Sequence, residues 1–178
     1  IHPAGNPHIL TDPRNIAKVA IEERKIPTLC EFFTRDLAEK LVAEGKRADV
    51  IHANNVLAHV PDLNGFVAGM KLLLNDDGWI VIEAPYLLDM IDKCEFDTIY
   101  HEHLCYFSLT ALDKLFARHW LTIFLAERVA IHGGSLRIFA THASTAPAHR
   151  PAVELLLREE ARWGVSSLDH YRSFSARV

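Results

Sequence analysis

Cysteine is scarce. Cys30, Cys94 and Cys105 are the three in 178 residues, they stand far apart, and they form no CxxC pair. An odd, scattered set excludes a disulfide framework and a zinc knuckle and fits a reducing cytoplasm, the expected location. No run approaches the ~18 consecutive apolar residues of a membrane span, so no membrane partner is expected. A basic excess is also lacking: 19 lysines and arginines stand against 23 aspartates and glutamates, a formal net charge of −4. Without a basic field to gather it, nucleic acid is not an expected partner. The chain opens on Ile1 with no basic, apolar and small-residue series behind it, so its start is not a signal peptide. It is expected to be a piece of a longer protein. What is present is ordinary globular composition, 49% hydrophobic and 24% charged, with length enough for one domain and a sizeable core.

Helix and strand patterns alternate along most of it. Residues 9–11 predict a short strand ending at Asp12-Pro13, 14–24 a helix, and Thr28-Leu29 a very short strand. Thr34 is placed to cap a helix whose Leu37, Ala38, Leu41 and Val42 keep i, i+4 spacing, and Gly45 to end it. Residues 49–54 predict a strand. Asp62 opens a helix with Leu63, Phe66, Val67, Met70, Leu73 and Leu74 inward, and Asp76-Asp77-Gly78 predicts a turn. The apolar run Trp79-Ile80-Val81-Ile82 predicts a strand buried on both faces. This alternation implies an α/β fold, with a parallel sheet between helices. Residues 85–107 have no clean period, and 108–118 predict a helix. Residues 122–129 and 136–142 predict an antiparallel pair, because the link between them is short. A linker over 143–150 leads to a helix from Pro151 to Trp163, ended by Gly164. A last helix is expected from Ser167, with Leu168, Tyr171, Phe174 and Val178 aligned.

The densest chemical cluster is Tyr100-His101-Glu102-His103, followed by Tyr106. Imidazole titrates near neutrality and suits proton abstraction; a neighbouring carboxylate can orient the ring, and a phenol can donate to a developing oxyanion. A solvated surface loop would have the same composition. His-x-His could also present two imidazoles to a metal ion, as in a metal-dependent hydrolase, but the outlying carboxylate–histidine pattern is missing and no metal ligand is assigned. Asn54-Asn55 follows a strand, where doubly wound sheets bind ligands, and also suits a helix cap or turn; His59 lies just beyond. Asp12, at the end of an early strand, is placed either for ribose hydroxyls or for a cap. His132-Gly133-Gly134-Ser135 offers backbone N–H groups to a phosphate, or is simply a hairpin turn.

Five segments, in this order and spacing, resemble the S-adenosylmethionine-dependent sugar C-methyltransferases: Asp49 to Leu63, Glu83 to Leu87, Phe96 to Leu104, Tyr106 to Leu109, and His132 to Arg137. Members of that family methylate C-3 of nucleotide-linked 4-keto deoxysugars. The resemblance implies a class I methyltransferase, a Rossmann-like α/β fold with a mostly parallel sheet and a C-terminal antiparallel pair, truncated at both ends. Residues 1–143 would be a partial core, and 144–178 a linker and helices leading to a missing C-terminal domain. It implies His103 as general base, with Tyr100, Glu102 and His59 beside it. Asn54 and Asn55 would meet the methionine portion of S-adenosylmethionine, and Asp12 its ribose. His101, Tyr106, His132, Gly133, Gly134 and Ser135 would face the nucleotide-linked sugar. Zinc belongs only to a cysteine-rich segment ahead of Ile1 in that family. The first strand and its Gly-rich loop are likewise absent, so the isolated chain is expected to bind the cofactor weakly or not at all. A non-catalytic remnant or interaction domain of the same fold is the alternative function.

Overall fold

The computed structural model describes residues 10–11, 15–131 and 133–178. Asp12 and His132 lie outside them. Strand β1 (Leu10–Thr11) pairs in parallel with β2 (Thr28–Leu29), with helix α1 (Asn15–Glu22) between them. Helix α2 (Arg35–Ala43) starts where Thr34 accepts the Leu37 N–H at 3.2 Å, and it is followed by Gly45 at φ +77°. Strand β3 (Ala48–Asn54), a 3-10 turn (Leu57–His59), helix α3 (Leu63–Leu73) and strand β4 (Leu74–Pro85) complete a second unit in which a helix joins two parallel strands. Asp62 caps α3 through the Gly65 N–H at 2.9 Å.

Strand β5 (Leu121–Val129) and strand β6 (Ser135–His142) form the expected antiparallel pair. Their placement is less direct. The sheet order is β3-β4-β6-β5, so β6 inserts between β4 and β5 and runs antiparallel to both. The remaining helices are α4 (Leu87–Asp92), α5 (Leu109–Arg118), α6 (Pro151–Trp163) and α7 (Leu168–Arg172), with a 3-10 turn at Phe96–Thr98.

The apolar face of this sheet packs on α3, α5 and α6. Ile80 and Ile82 of β4, Ile138 and Ala140 of β6, and Ile123 of β5 are fully buried against Phe66, Val67, Met70, Leu112, Phe116 and Val153. Three expectations need correction. Trp79-Ile80-Val81-Ile82 is buried on one face only: Trp79 keeps 52% of its surface exposed and its register partner Val50 60%. The packed helices all lie across Ile80 and Ile82, and the described residues place no layer over Trp79. Asp76-Asp77-Gly78 does not divide helix from strand. It lies within β4, where the register jumps from Ala48↔Leu74 to Val50↔Trp79 and the extra residues are absorbed as a bulge. The last helix stops at Arg172, and the expected stripe is covered only in part: Tyr171 meets Trp163 edge-on at 5.6 Å, whereas Leu168 and Val178 are exposed.

Candidate active site

The site gathers at the carboxyl end of β3 and β4, where backbone groups and turns leave polar side chains free. Asn54 ends β3 opposite Glu83 of β4, and the chain then swings away. Asn55 takes φ +53°, a left-handed value asparagine tolerates, and its N–H bonds the Glu83 carbonyl at 2.8 Å. Both asparagines are exposed, and their amides bond no other described side chain. The turn that follows carries His59 beside the 98–106 loop. Leu104 N–H bonds the Ala58 carbonyl at 2.8 Å, pinning the loop to that turn.

Within the loop the two imidazoles lie 4.9 Å apart, centroid to centroid. His103 Nδ1 is 2.9 Å from the Thr98 carbonyl oxygen. A carbonyl only accepts, so Nδ1 carries the proton and Nε2 presents its lone pair. Onto that lone pair the Tyr100 hydroxyl donates at 3.0 Å, with the rings 4.3 Å apart. His59 repeats the arrangement: Nδ1 donates to the Glu102 carbonyl at 2.8 Å, and Nε2 has no partner among the described residues. Tyr106 stands edge-on to His103 at 6.0 Å, and its hydroxyl donates to the same Thr98 carbonyl at 3.4 Å. Thr98 is in turn anchored, its hydroxyl donating to the Glu95 carbonyl at 2.8 Å.

Tyr100, Glu102, His103, His59 and Tyr106 are therefore brought together, with Asn54 and Asn55 at the same end of the sheet. His101 is exposed, its ring 6.4 Å from that of Tyr100. Two readings change. The Glu102 carboxylate does not orient His103. That task falls to Thr98, five residues back, through a main-chain oxygen that composition cannot single out, and Glu102 acts on His59 through its own carbonyl. Ser135, expected to touch substrate, is fully buried, and its hydroxyl donates to the Ile131 carbonyl at 3.1 Å.

Gly133 and Gly134 occupy the carboxyl end of β4 as well, the Tyr86 N–H bonding the Gly134 carbonyl at 3.0 Å. Their conformations, φ +80° and +143°, require glycine. What approaches them is protein. A Cβ on Gly134 would lie 2.5 Å from Asp89 Oδ2, and one on Gly133 would collide with the Glu95 carboxylate. Lys93 donates to the Gly133 carbonyl, and Arg128 pairs with the buried Asp89 at 2.6 Å. Sequence reasoning also passed over Glu83, whose buried carboxylate takes both Arg137 contacts, at 3.0 and 2.7 Å, beside Asn54. Its signal was an acidic residue closing an apolar strand. Among the described residues no three His, Cys, Asp or Glu side chains converge as metal ligands, and no helix is long and apolar enough to cross a membrane.

The protein-family model described as "Methyltransferase domain" matches residues 6–123, and the one described as "C-methyltransferase C-terminal domain" matches residues 130–178. The C-methyltransferase NovU of Streptomyces niveus is 36% identical over 97% of this chain, which spans 41% of the length of NovU. Among solved structures, magnesium protoporphyrin IX methyltransferase from Synechocystis, with bound SAH, superposes with a TM-score of 0.56 at 14% identity. The match covers 78% of this chain and 65% of that one. A SAM-dependent methyltransferase from Anabaena variabilis gives 0.57 at 12% identity, covering 76% and 68%. The fold is that of the class I S-adenosylmethionine-dependent methyltransferases.

Proposed function

The chain belongs to the methyltransferase-domain family, and we propose that its protein methylates the carbon beside the ketone of a nucleotide-linked 4-keto deoxysugar in the cytoplasm, with His103 as general base. The observation that carries this reading is the pair of contacts on His103. Nδ1 is committed to the Thr98 carbonyl at 2.9 Å, so in the neutral ring Nε2 is the basic nitrogen, facing the Tyr100 hydroxyl at 3.0 Å.

The residues at the carboxyl end of β3 suit S-adenosylmethionine. Asn54 and Asn55 present free amides, which donate to a carboxylate and accept from an ammonium, the two groups of its methionine end. Asp12, outside the described residues, is assigned to the ribose on the sequence resemblance alone. Bound there, the cofactor supplies an electrophilic methyl group. The chain does the rest. His103 Nε2 takes the proton on the carbon next to the sugar ketone. Tyr100, released from Nε2 as substrate enters, turns its hydroxyl to the oxygen on which charge develops. The His59 ring lies 4.9 Å from that of His103, and its Nε2 is free to bond the same oxygen or a neighbouring hydroxyl. Glu102, His101 and Tyr106 form the polar wall that receives the sugar. A base and a donor on opposite atoms of one ketone lower the barrier to enolisation without a covalent intermediate.

The test is a methyl-transfer assay on the full reading frame with a panel of nucleotide-linked 4-keto sugars. His103→Ala is expected to cost roughly 10²–10⁴ in turnover, the usual share of a positioned base, with cofactor affinity unchanged. Turnover surviving within a few-fold removes His103 from the role, and no turnover of any sugar by the native protein favours the non-catalytic reading.

A further inference from the structure

Glu160, on α6, is fully buried and accepts four hydrogen bonds. Oε1 takes the Tyr86 hydroxyl at 3.0 Å and the Leu109 N–H at 2.5 Å; Oε2 takes the Thr110 N–H at 2.7 Å and the Thr110 hydroxyl. Helix α5 does not need this for an ordinary start. Ser108 already caps it, accepting the Ala111 N–H at 3.1 Å. A carboxylate brought from 50 residues away therefore adds placement: it sets the start of α5, and Tyr86 with it, against α6.

Those two points bracket the end of the histidine loop. Tyr86 forms a parallel bridge with Phe107, and the Leu87 N–H bonds the Phe107 carbonyl at 2.9 Å. Phe107 thus sits between two segments that Glu160 holds, four residues after His103. Tyr86 is itself kept as a donor: burial first, then the adjacent Glu160, pushes its phenol well above the usual tyrosine range. The loop's other ties are the Leu104–Ala58 bond, the His59 contact with the Glu102 carbonyl, and the contacts of His103 and Tyr106 with Thr98. A charged acceptor facing helix-terminal N–H groups is among the stronger kinds of neutral-to-charged hydrogen bond, so the anchor at Glu160 is a stiff one.

We propose that Glu160 is a positioning residue for the loop that carries His103, so that α6, in the part of the chain matched by the C-methyltransferase C-terminal domain model, sets the geometry of the base. The proposal rests on the reading of His103 as general base. In the full-length protein, Glu160→Gln puts an amide N–H₂ where two donors already point, with little change in volume. At a temperature where the variant is folded, amide exchange over 99–107 is expected to rise about tenfold or more. The kcat for methyl transfer should fall roughly ten- to hundredfold, with KM for the cofactor within about twofold of the native value. Tyr86→Phe, which cuts one of the four bonds, should show the same pattern at roughly three- to tenfold. A folded Glu160→Gln protein with a lower melting temperature but native kcat, or with native loop exchange, overturns the proposal, since Glu160 would then be a cap and nothing more. If Glu160→Gln does not fold, Tyr86→Phe decides by the same two readouts. Loss of the base reading is seen separately: His103→Ala would keep its turnover while the exchange result stood.

Discussion

Two polar loops close the carboxyl end of the sheet, and they use their polar atoms in opposite ways. At the loop over 98–107, His103 and the neighbouring His59 are anchored to main chain through Nδ1. Thr98 and Glu102 supply carbonyls at 2.9 and 2.8 Å, and the second nitrogen of each ring stays available for chemistry. The turn at Gly133-Gly134 is filled from within. Asp89 and Glu95 crowd its glycines, Lys93 holds a carbonyl, and Ser135 is buried on Ile131. Composition rated both as ligand-facing. The difference lies in spare bonding capacity: a side chain with two functional atoms can be anchored by one and react through the other, whereas a glycine stretch has only its backbone to offer. Where that backbone is already bonded and packed, the glycines serve the turn.

Gly134→Ala tests this contrast most severely. The substitution forces a side chain into φ +143° and against the Asp89 carboxylate, itself buried beside Arg128. The expected cost is about 2–4 kcal/mol of stability, from strain together with overpacking, read as a drop in melting temperature while turnover well below it persists. An unchanged melting temperature with lost turnover would instead make this loop the ligand-facing one. Next comes Tyr100→Phe. Tyr100 is 43% exposed and, among the described residues, its hydroxyl bonds His103 alone, so folding should be untouched. Turnover should fall about tenfold, the worth of one donor at roughly 1.4 kcal/mol, in a steady-state assay of the full-length protein. A native rate would leave the phenol without a part in the reaction.

The smallest effect belongs to Tyr86→Phe in equilibrium unfolding. One bond to Glu160 is lost, about 1 kcal/mol at neutral pH. The pH dependence carries more information. An unfolded tyrosine loses its proton near pH 10, whereas burial and Glu160 keep folded Tyr86 protonated beyond that. Above that pH the unfolded chain binds fewer protons than the folded one, so the contribution of the phenol is whole below about pH 10 and is lost as pH rises further. Denaturant midpoints taken from pH 7 to 11 should therefore decline in the native protein and decline less in Tyr86→Phe. Parallel curves would mean that Tyr86 ionises as freely in the fold as out of it.

Much of this protein was legible because the signals were local. Thr34 and Asp62 cap their helices within three residues of their own backbone, and Gly45 and Gly164 terminate theirs at φ +77° and +91°. A short link made β5 and β6 antiparallel, and the cluster of Tyr100, Glu102 and His103 marked the loop proposed to carry the base, since such side chains do not build a core. The sequence by itself thus determined the kinds of element, their order, and which segment gathers the ionisable side chains, all of which depend on neighbours within a turn or two. Tertiary structure alone decided what depends on distant partners. It inserted β6 between β4 and β5. It left Trp79 open while burying Ile80, since the packed helices all chose one face. It gave the orientation of His103 to a main-chain carbonyl at Thr98, and it tied the end of the loop to Glu160, 51 residues beyond Leu109. A backbone oxygen is the same in every residue, and a buried glutamate reads like any exposed one. Their roles arise only when packing removes water and brings particular donors within reach.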